Sequence, residues 1–375
     1  MTAADTVVVK VGSRVLTGDD GALDDEHVAA VANQLAELRL GGRKVVLVSS
    51  GAVAAGLGRL GWKRRPTDVA ELQAAAAVGQ SRLIESYNRA LAPHRLNAAQ
   101  ILLTVDDLQH RARYLNVRNT LNALFRCGAI PIINENDTVA VDELQLSFGD
   151  NDRLAAMVTN LLRAPLMILL SDVEGVYDRN PKTDPAATRI SVITDIAAAQ
   201  QQFVQDSWAG QAIQLSRGGM ASKLRAARVV AAAGESVVIA RGRRPNVIVD
   251  ILAGEDVGTL ILAEGRAVDS RKRWIGWTVN PRGRLMLDAG AAKAVQLNGR
   301  SLLAVGVRSV EGNFSKGDVI CLCDDGGREF ARGLSNYSSS DLAKIIGRPT
   351  DRIAEILGHC PYQEVVHRDN LVVLG

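Results

Sequence analysis

Short apolar runs that alternate with helical patterns constrain the fold of this chain most strongly. Runs such as TVVVKVG, KVVLVSSG and PLMILLSD are continuously apolar, and they do not alternate with polar residues. Strands of this kind lie in parallel or mixed sheets that helices cover on both faces. Residues 1–262 are therefore predicted to form an α/β domain with a mainly parallel open sheet sandwiched between helices.

The segments between these runs have helical patterns. DDEHVAAVANQLAELRLGG is amphipathic, starts with acidic residues and ends with glycines, as a capped helix does. Further helices are predicted over residues 52–60, 68–91 and 114–126. With 375 residues, 47% of them hydrophobic, the chain has enough apolar side chains for two or three domains with buried cores.

The composition and the N-terminal residues argue against several functional classes. The net charge of +3 gives no general attraction to nucleic acids or anionic membranes. The segment MTAADTVVVKVG has no basic and apolar signal regions, and the longest apolar runs are too short to span a bilayer. We expect a cytoplasmic protein without a membrane partner, whose four cysteines are ordinary reduced thiols.

The composition and the predicted secondary structure of the sequence change after residue 262. Residues 263–281 are polar and basic, contain a proline and are predicted to form a linker. Residues 282–375 have short strands, many glycine turns and a single clear helix at SSDLAKIIG, which predicts a small β-rich second domain. From Arg282 onward there are 12 Lys and Arg against 11 Asp and Glu, so this domain lacks the basic excess of RNA-binding proteins.

Several common catalytic motifs are absent from the sequence. There is no G-x-x-x-x-G-K-[ST] phosphate loop, no G-x-G-x-x-G dinucleotide motif directly after the first strand, no zinc cluster and no G-x-S-x-G elbow. In open α/β sheets, ligands bind at the carboxyl ends of the strands. The candidate residues therefore lie at strand ends, which include Gly12, Ser49 to Gly51, Asn134 to Asp137, and Ser171 with Asp172.

Lys10 and the SSG turn each allow two interpretations. Lys10 lies inside an apolar strand, where it either reaches an anion or extends to the surface from a strand at the edge of the sheet. Ser50 and Gly51 form a strand-to-helix turn, where they either help to bind an anion or act as a simple helix cap.

Two further segments are open to a structural and a functional interpretation. The residues Asp137, Asp150, Asn151 and Asp152 either form Asx turns and a helix cap, or grip an ammonium group and organise cations and lysines around a phosphate. In RGGMASK, the glycines and Lys223 mark either an ordinary helix start or a site that binds an oxyanion.

Taken together, these segments resemble the amino-acid kinase family. The likeness is carried in order by VVVKVGSRVLT, VSSGAVAAGLGRLG, AAVGQSRL, PIINENDTVA, FGDNDRLAA, LLSDVEGVYDRNP and GGMASKLRAA. SVEGNFSKGDVI and ARGLSNYSSSDL resemble a PUA domain. Within the family, the chain is similar to the branch that uses ATP to phosphorylate the γ-carboxylate of L-glutamate, the first step of proline biosynthesis.

The resemblance assigns roles to individual residues. Lys10, Asp152 and Lys223 correspond to the catalytic residues. The positions for the acceptor substrate are Ser50, Gly51, Asp137, Asp150 and Asn151. The positions for ATP are Lys10, Gly12, Ser171, Asp172, Arg217, Gly218, Gly219, Met220, Ala221, Ser222 and Lys223.

The chemistry of such a reaction agrees with this set of residues. A carboxylate nucleophile is already ionised at pH 7, so the reaction needs no general base and depends on positioning and charge neutralisation. Mg²⁺ is expected as the cofactor, held mainly by the ATP phosphates, and no dedicated protein metal site is expected. The resemblance also implies a homo-oligomer (a dimer or a tetramer), inhibition by proline, and hand-over of the product to a glutamyl-phosphate reductase.

The sequence departs from the family pattern at two places and leaves other functions open. Ser216 and Arg217 replace the usual Gly-Thr, which bears on ATP binding, and Leu72 and Gln73 replace a usual Lys-Gln. The alternatives are an aspartate, N-acetylglutamate or uridylate kinase, or an RNA-binding protein on an inactive kinase scaffold. In the second domain, Phe314 and Tyr337 are expected to be core or turn residues, although aromatic side chains there could also stack on bases.

Overall fold

The computed structural model describes residues 3–18, 21–140, 150–181, 183–200, 219–264, 270–359 and 362–374; the side chains of Asp150 and Ser270 are outside this description. The chain divides into two compact units, Met1–Ala267 and Val268–Gly375.

The first unit is built on an eight-stranded sheet with the order β3-β4-β2-β1-β5-β7-β8-β6. The strands are β1 (Thr6–Val11), β2 (Lys44–Ser49), β3 (Ala98–Leu103), β4 (Ile130–Glu135), β5 (Leu166–Ser171), β6 (Val192–Ile193), β7 (Ser236–Arg241) and β8 (Thr259–Ile261). Among these strands, only the pairing of β7 with β8 is antiparallel. The predicted mainly parallel sheet is confirmed.

Helices connect the strands of this sheet. They are α1 (Ser13–Leu16), α2 (Asp25–Leu40), α3 (Ala52–Leu60), α4 (Val69–Leu91), α5 (Val105–Gln109), α6 (Arg111–Arg126), α7 (Asp150–Leu162), α8 (Met220–Ala232) and α9 (Val247–Ala253). Asp24 caps α2 and Asp68 caps α4, each by accepting a hydrogen bond from a backbone N–H in the first turn. The helices predicted over 52–60 and 68–91 are confirmed, and α6 begins three residues before its predicted start at 114.

The centre of the core is β1, all six residues of which are buried. β1 lies between β2 and β5, and all three strands are parallel. Their apolar side chains pack against α2 and α9 in one continuous cluster. Because both faces are covered, these strands read as continuous apolar runs in the sequence.

The second unit contains a five-stranded sheet with the order β10-β9-β11-β12-β13. Its strands are β9 (Gly283–Leu287), β10 (Val307–Gly312), β11 (Val319–Cys323), β12 (Glu329–Leu334) and β13 (Leu371–Val373). Phe314 and Tyr337 are each 3% exposed and belong to its core, as expected.

The prediction of a single helix in this part of the chain is wrong. Ala289–Gln296 (α11), Ser339–Ile345 (α12) and Ile353–Leu357 (α13) are all helical. Asp288 caps α11 by accepting from the backbone N–H of Ala291. The Ala- and Gly-rich sequence of α11 has too few large apolar residues to produce a clear helical period.

The segment predicted as a linker, 263–281, contains regular structure. Ser270–Arg273 (α10) is followed by a π-helical turn at Trp274–Thr278. Arg332 donates a hydrogen bond to the backbone oxygen of Gly276 within the second unit. In neither unit do the described residues include a helix that is long and apolar enough to cross a bilayer.

Candidate active site

The carboxyl ends of neighbouring strands bring the candidate residues together. The backbone N–H of Gly12, just after β1, donates to the oxygen of Leu170 in β5 at 3.2 Å. The N–H of Ser50, just after β2, donates to Val11 of β1 at 3.1 Å. These bonds align the turns after β1 and β2 with the end of β5, at the edge where ligands bind in open α/β sheets.

Asp152 joins two lysines from distant parts of the sequence. Its Oδ1 lies 2.6 Å from Nζ of Lys10 and its Oδ2 lies 3.3 Å from Nζ of Lys223. Asp152 is 2% exposed, and both lysine side chains are also buried. The three residues come from β1, α7 and α8, so the fold itself assembles this cluster.

The charges of the cluster shift the pKa values of its members. Burial alone would raise the pKa of Asp152, but the ammonium groups of Lys10 and Lys223 outweigh this effect and hold the pKa below its usual value. Burial lowers the pKa of Lys223; Asp152 opposes that shift and Lys10 adds to it. The cluster therefore keeps an ionised carboxylate between two cations.

The position of Lys10 decides between its two interpretations. β1 is a central strand, paired on one side with β2 and on the other with β5, so Lys10 does not extend to water from a strand edge. The buried ammonium instead reaches an anion, the carboxylate of Asp152. The alternative of an edge strand is wrong.

The turn after β2 places Gly51 and Ser50 in different roles at the start of α3. Gly51 stands at the N-cap position of α3 with φ +107°, a left-handed conformation that favours glycine, and no side chain caps the helix there. The hydroxyl of Ser50 is engaged differently, because Asn151 Nδ2 donates to it at 3.0 Å. The helix-cap interpretation therefore holds for Gly51, the N-cap residue of α3, and not for the side chain of Ser50.

Asn151 belongs to a chain of amide side chains. Its Nδ2 also donates to Oδ1 of Asn134 at 3.2 Å, and Nδ2 of Asn134 donates to Oε1 of Gln80 at 2.8 Å. These three side chains are buried. Asp137 is buried as well, in the turn after β4. The interpretation as mere Asx turns does not describe Asn151 and Asp152, whose partners lie on other elements.

The residues predicted for ATP lie at the ends of β5 and α8. Asp172 forms an ion pair with Arg14 of α1 at 2.9 Å and accepts a hydrogen bond from Ser171 Oγ. Gly219 is the N-cap residue of α8, without a capping side chain, and a Cβ atom there would meet open space. Gly219 and the partly exposed Met220 therefore leave the backbone at the start of α8 accessible to solvent.

Three of the predicted site residues lie wholly or partly outside the described residues. Arg217 and Gly218 lie outside the described residues, as does the side chain of Asp150. Ala221 lies in the first turn of α8 and is partly buried, whereas Ser222 is 5% exposed. Gln80 and Arg14 carry no role that their sequence context predicts, although Gln80 stands out as the lone polar residue in the motif AAVGQ.

Comparisons with known proteins identify the families to which the two parts of the chain are similar. Residues 5–241 match the amino acid kinase family and residues 283–357 match the PUA domain. The chain belongs to the amino acid kinase family, and it is a kinase.

Its curated relatives point to one member of that family. A glutamate 5-kinase from Chromohalobacter salexigens is 48% identical over 98% of this chain and 96% of its own length. A glutamate 5-kinase from Pseudomonas aeruginosa is 47% identical over 100% of this chain and 99% of its own. The match to solved structures is weaker: a UMP kinase from Ureaplasma parvum is 17% identical with a TM-score of 0.46, over 69% of this chain and 99% of that chain.

Proposed function

We propose that this chain transfers the γ-phosphoryl group of ATP to the γ-carboxylate of L-glutamate, the first step of proline biosynthesis. The observation that carries the proposal is the buried carboxylate of Asp152 between the ammonium groups of Lys10 and Lys223. Relatives that share nearly the whole chain are named for this activity.

The reaction needs charge and position rather than acid–base chemistry. An oxygen of the glutamate γ-carboxylate attacks the γ-phosphorus, a new P–O bond forms, and the bond to the bridging oxygen breaks, which releases ADP. No proton has to be removed, because the attacking carboxylate is ionised at neutral pH. Lys10 and Lys223 stabilise the negative charge on the phosphoryl group during transfer, and Asp152 holds both of them in place.

The acceptor amino acid is proposed to bind at the ends of β2 and β4 and at the start of α7. Ser50 and the backbone at Gly51, at the N-terminus of α3, suit a carboxylate. Asp137 and Asn151 would supply oxygen atoms of the kind that an ammonium group requires, and the resemblance adds Asp150 to this group.

The nucleotide is proposed to bind on the other side of the lysines. A Cβ atom at Gly12 would lie 3.7 Å from Nζ of Lys10, an ordinary contact distance, so the backbone at Gly12 lies beside the ammonium. Ser171 and Asp172 lie at the end of β5, and Gly219 to Lys223 form the start of α8, a helix of 13 residues. Backbone N–H groups at such a helix start favour phosphate oxygens.

Mg²⁺ is proposed to arrive with ATP. Within the described ranges, His, Cys, Asp and Glu side chains form no group of three that could hold a metal ion. Both oxygens of Asp152 face lysines. The ion would be held mainly by the triphosphate, where it would neutralise phosphate charge.

An assay with hydroxylamine tests the proposed function. The purified protein is incubated with ATP, Mg²⁺ and hydroxylamine, with glutamate or aspartate as the acceptor. Hydroxylamine converts an acyl phosphate into a hydroxamate and releases phosphate, so glutamate-dependent hydroxamate is expected. Turnover with aspartate alone, or no turnover with either acceptor, would contradict the proposal.

Further expectations follow from the resemblance and remain predictions. They are a dimer or tetramer, a cytoplasmic location, inhibition by proline, and transfer of the labile acyl phosphate to a glutamyl-phosphate reductase. The near-neutral second domain favours a structural or regulatory role over RNA binding.

A further inference from the structure

Gln80 is a polar residue on an otherwise apolar face of a helix. On α4, the buried residues around it include Ala76, Leu83 and Tyr87, and Gln80 itself is only 7% exposed. Burying an amide is unfavourable unless it forms hydrogen bonds. Its Oε1 accepts from Asn134 Nδ2 at 2.8 Å, whereas its Nε2 has no hydrogen-bond partner among the described residues.

That single bond connects Gln80 to the proposed acceptor site. Oδ1 of Asn134 accepts from the backbone N–H of Glu135 at 2.9 Å and from Asn151 Nδ2 at 3.2 Å. Asn151 Nδ2 also donates to Ser50 Oγ at 3.0 Å. Gln80 is therefore the far end of a chain of hydrogen bonds that reaches Ser50 at the start of α3.

A backbone group sets the direction of every bond in this chain. The N–H of Glu135 can only donate, so the Asn134 atom that faces it is the oxygen. The nitrogen of Asn134 then faces Gln80, which must present its own oxygen. Because the oxygen of Asn134 faces Asn151, Asn151 must present its nitrogen, and the same nitrogen donates to Ser50. Ser50 therefore accepts that bond and keeps its own hydroxyl proton for another acceptor.

We propose that Gln80 is a positioning residue for the acceptor substrate. By accepting from Asn134, it holds the amide chain in the one direction that leaves the proton of Ser50 to donate to an ionised carboxylate of the acceptor amino acid. Without this acceptor, the observed orientation of Asn134 leaves a buried N–H group unsatisfied, and the reversed orientation places two donors face to face at Glu135. This inference rests on the proposed function, since it assigns that carboxylate to the acceptor.

The variant Gln80→Met tests this role, because methionine has a similar length and offers no comparable acceptor. We expect the KM for glutamate to rise about tenfold, the size expected when a buried polar group loses its partner. The KM for ATP should stay within about twofold of the wild-type value, because the chain does not reach the nucleotide side. An unchanged KM for glutamate, or equal increases in both KM values, would overturn the inference.

A second buried glutamine provides a matched control. Gln34 of α2 is 8% exposed, accepts from the backbone N–H of Ile248 at 2.8 Å and has no bond to the amide chain. Gln34→Met should lower Tm without changing the KM for glutamate. If it raises that KM as much as Gln80→Met does, the effect is a general loss of stability and the inference is wrong.

Two further variants keep the test decisive. In a Ser50→Ala background, Gln80→Met should change the KM for glutamate by less than about threefold, because the group on which it acts has been removed; fully additive effects would contradict the proposed route. Should Gln80→Met not fold, Gln80→Leu removes the same acceptor without adding a charge and should also raise the KM for glutamate about tenfold, so an unchanged KM in this variant overturns the inference.

The wild-type protein separates this inference from the proposed function. A wild type without glutamate-dependent hydroxamate contradicts the proposed function. An active wild type with an unaffected Gln80→Met variant contradicts only the role of Gln80.

Discussion

Asp152 lies at the centre of the proposed catalytic cluster, where it is proposed to position the two lysines without taking part in proton transfer. Its carboxylate faces two ammonium groups, which leaves one net positive charge in a buried cluster. Buried charges are unfavourable unless they are paired, so the net positive charge of the cluster attracts one more anion. A phosphoryl group supplies that anion, and the site thereby favours the group that it is proposed to transfer.

Replacement of Lys223 should lower the rate of phosphoryl transfer. Lys223→Ala is expected to lower kcat by about 10² or more, the effect of removing a preorganised group that stabilises developing charge. The measurement is steady-state hydroxamate formation at saturating glutamate and ATP. Arg225→Ala on the exposed side of the same helix is the control and should leave kcat unchanged. Equal turnover by Lys223→Ala and the wild type would remove Lys223 from the site.

The lowered pKa of Lys223 predicts a loss of activity at alkaline pH. As the pH rises through this pKa, below the ordinary lysine value of 10.5, the ammonium loses its proton and no longer attracts phosphate. We expect kcat/KM for ATP, which reports ionisation in the free enzyme, to fall in that range. Arginine stays charged throughout, so in Lys223→Arg the decline should move to higher pH. The same decline in both proteins would assign it to another group.

At the scale of elements, α3 and α4 approach each other through glycines. A Cβ atom at Gly79 would lie 1.8 Å from the backbone oxygen of Ala52, and one at Gly56 would lie 1.8 Å from that of Ala75. No side chain fits at those distances, so the helices touch backbone to backbone. This contact holds α4, and with it Gln80, close to the turn that carries Ser50.

Alanine at Gly79 should therefore destabilise the first unit. Gly79→Ala must push the two helices apart, and we expect a loss of about 1–3 kcal/mol in the free energy of unfolding. Gly58→Ala provides the contrast, because its Cβ would meet only Ala22 Cβ at an ordinary 3.6 Å; it should be neutral or stabilising by about 0.5–1 kcal/mol. Denaturant unfolding measures both values, and equal stabilities would contradict the close contact.

Helix signals in the sequence differed in strength. Helices with a full apolar stripe, such as Val69–Leu91, could be predicted because their period repeats over several turns. The helix Ala289–Gln296 could not, because tertiary packing stabilises a short helix that has only a weak pattern of its own.

At the scale of the whole molecule, the three proposed catalytic residues belong to one unit. Lys10, Asp152 and Lys223 all lie within Met1–Ala267. The second unit has a separate core of its own. The chemistry is therefore expected to reside in the first unit.

A shortened chain tests this division. A protein that ends at Ala267 should remain folded and keep glutamate-dependent turnover within about tenfold of the full chain, because compact units with their own cores fold independently. Circular dichroism establishes folding, and the hydroxamate assay measures turnover. A folded but inactive truncated protein would show that the second unit contributes to the site.

The sequence alone determined the class of fold and most of the candidate residues. Continuous apolar runs, helix periods and polar strand ends are local features, and they sufficed to predict a parallel sheet with ligand-binding residues at one edge. The resemblance to a family then gave those residues roles.

Only the tertiary structure decided which of those residues meet. Lys223 and Asp152 are 71 residues apart in the sequence, and their contact depends on how α7 and α8 pack against the sheet. The central position of β1 decided that Lys10 faces a carboxylate and not water. The chain from Gln80 to Ser50 has no signature in the sequence, because the direction of an amide depends on the donors and acceptors that surround it in space.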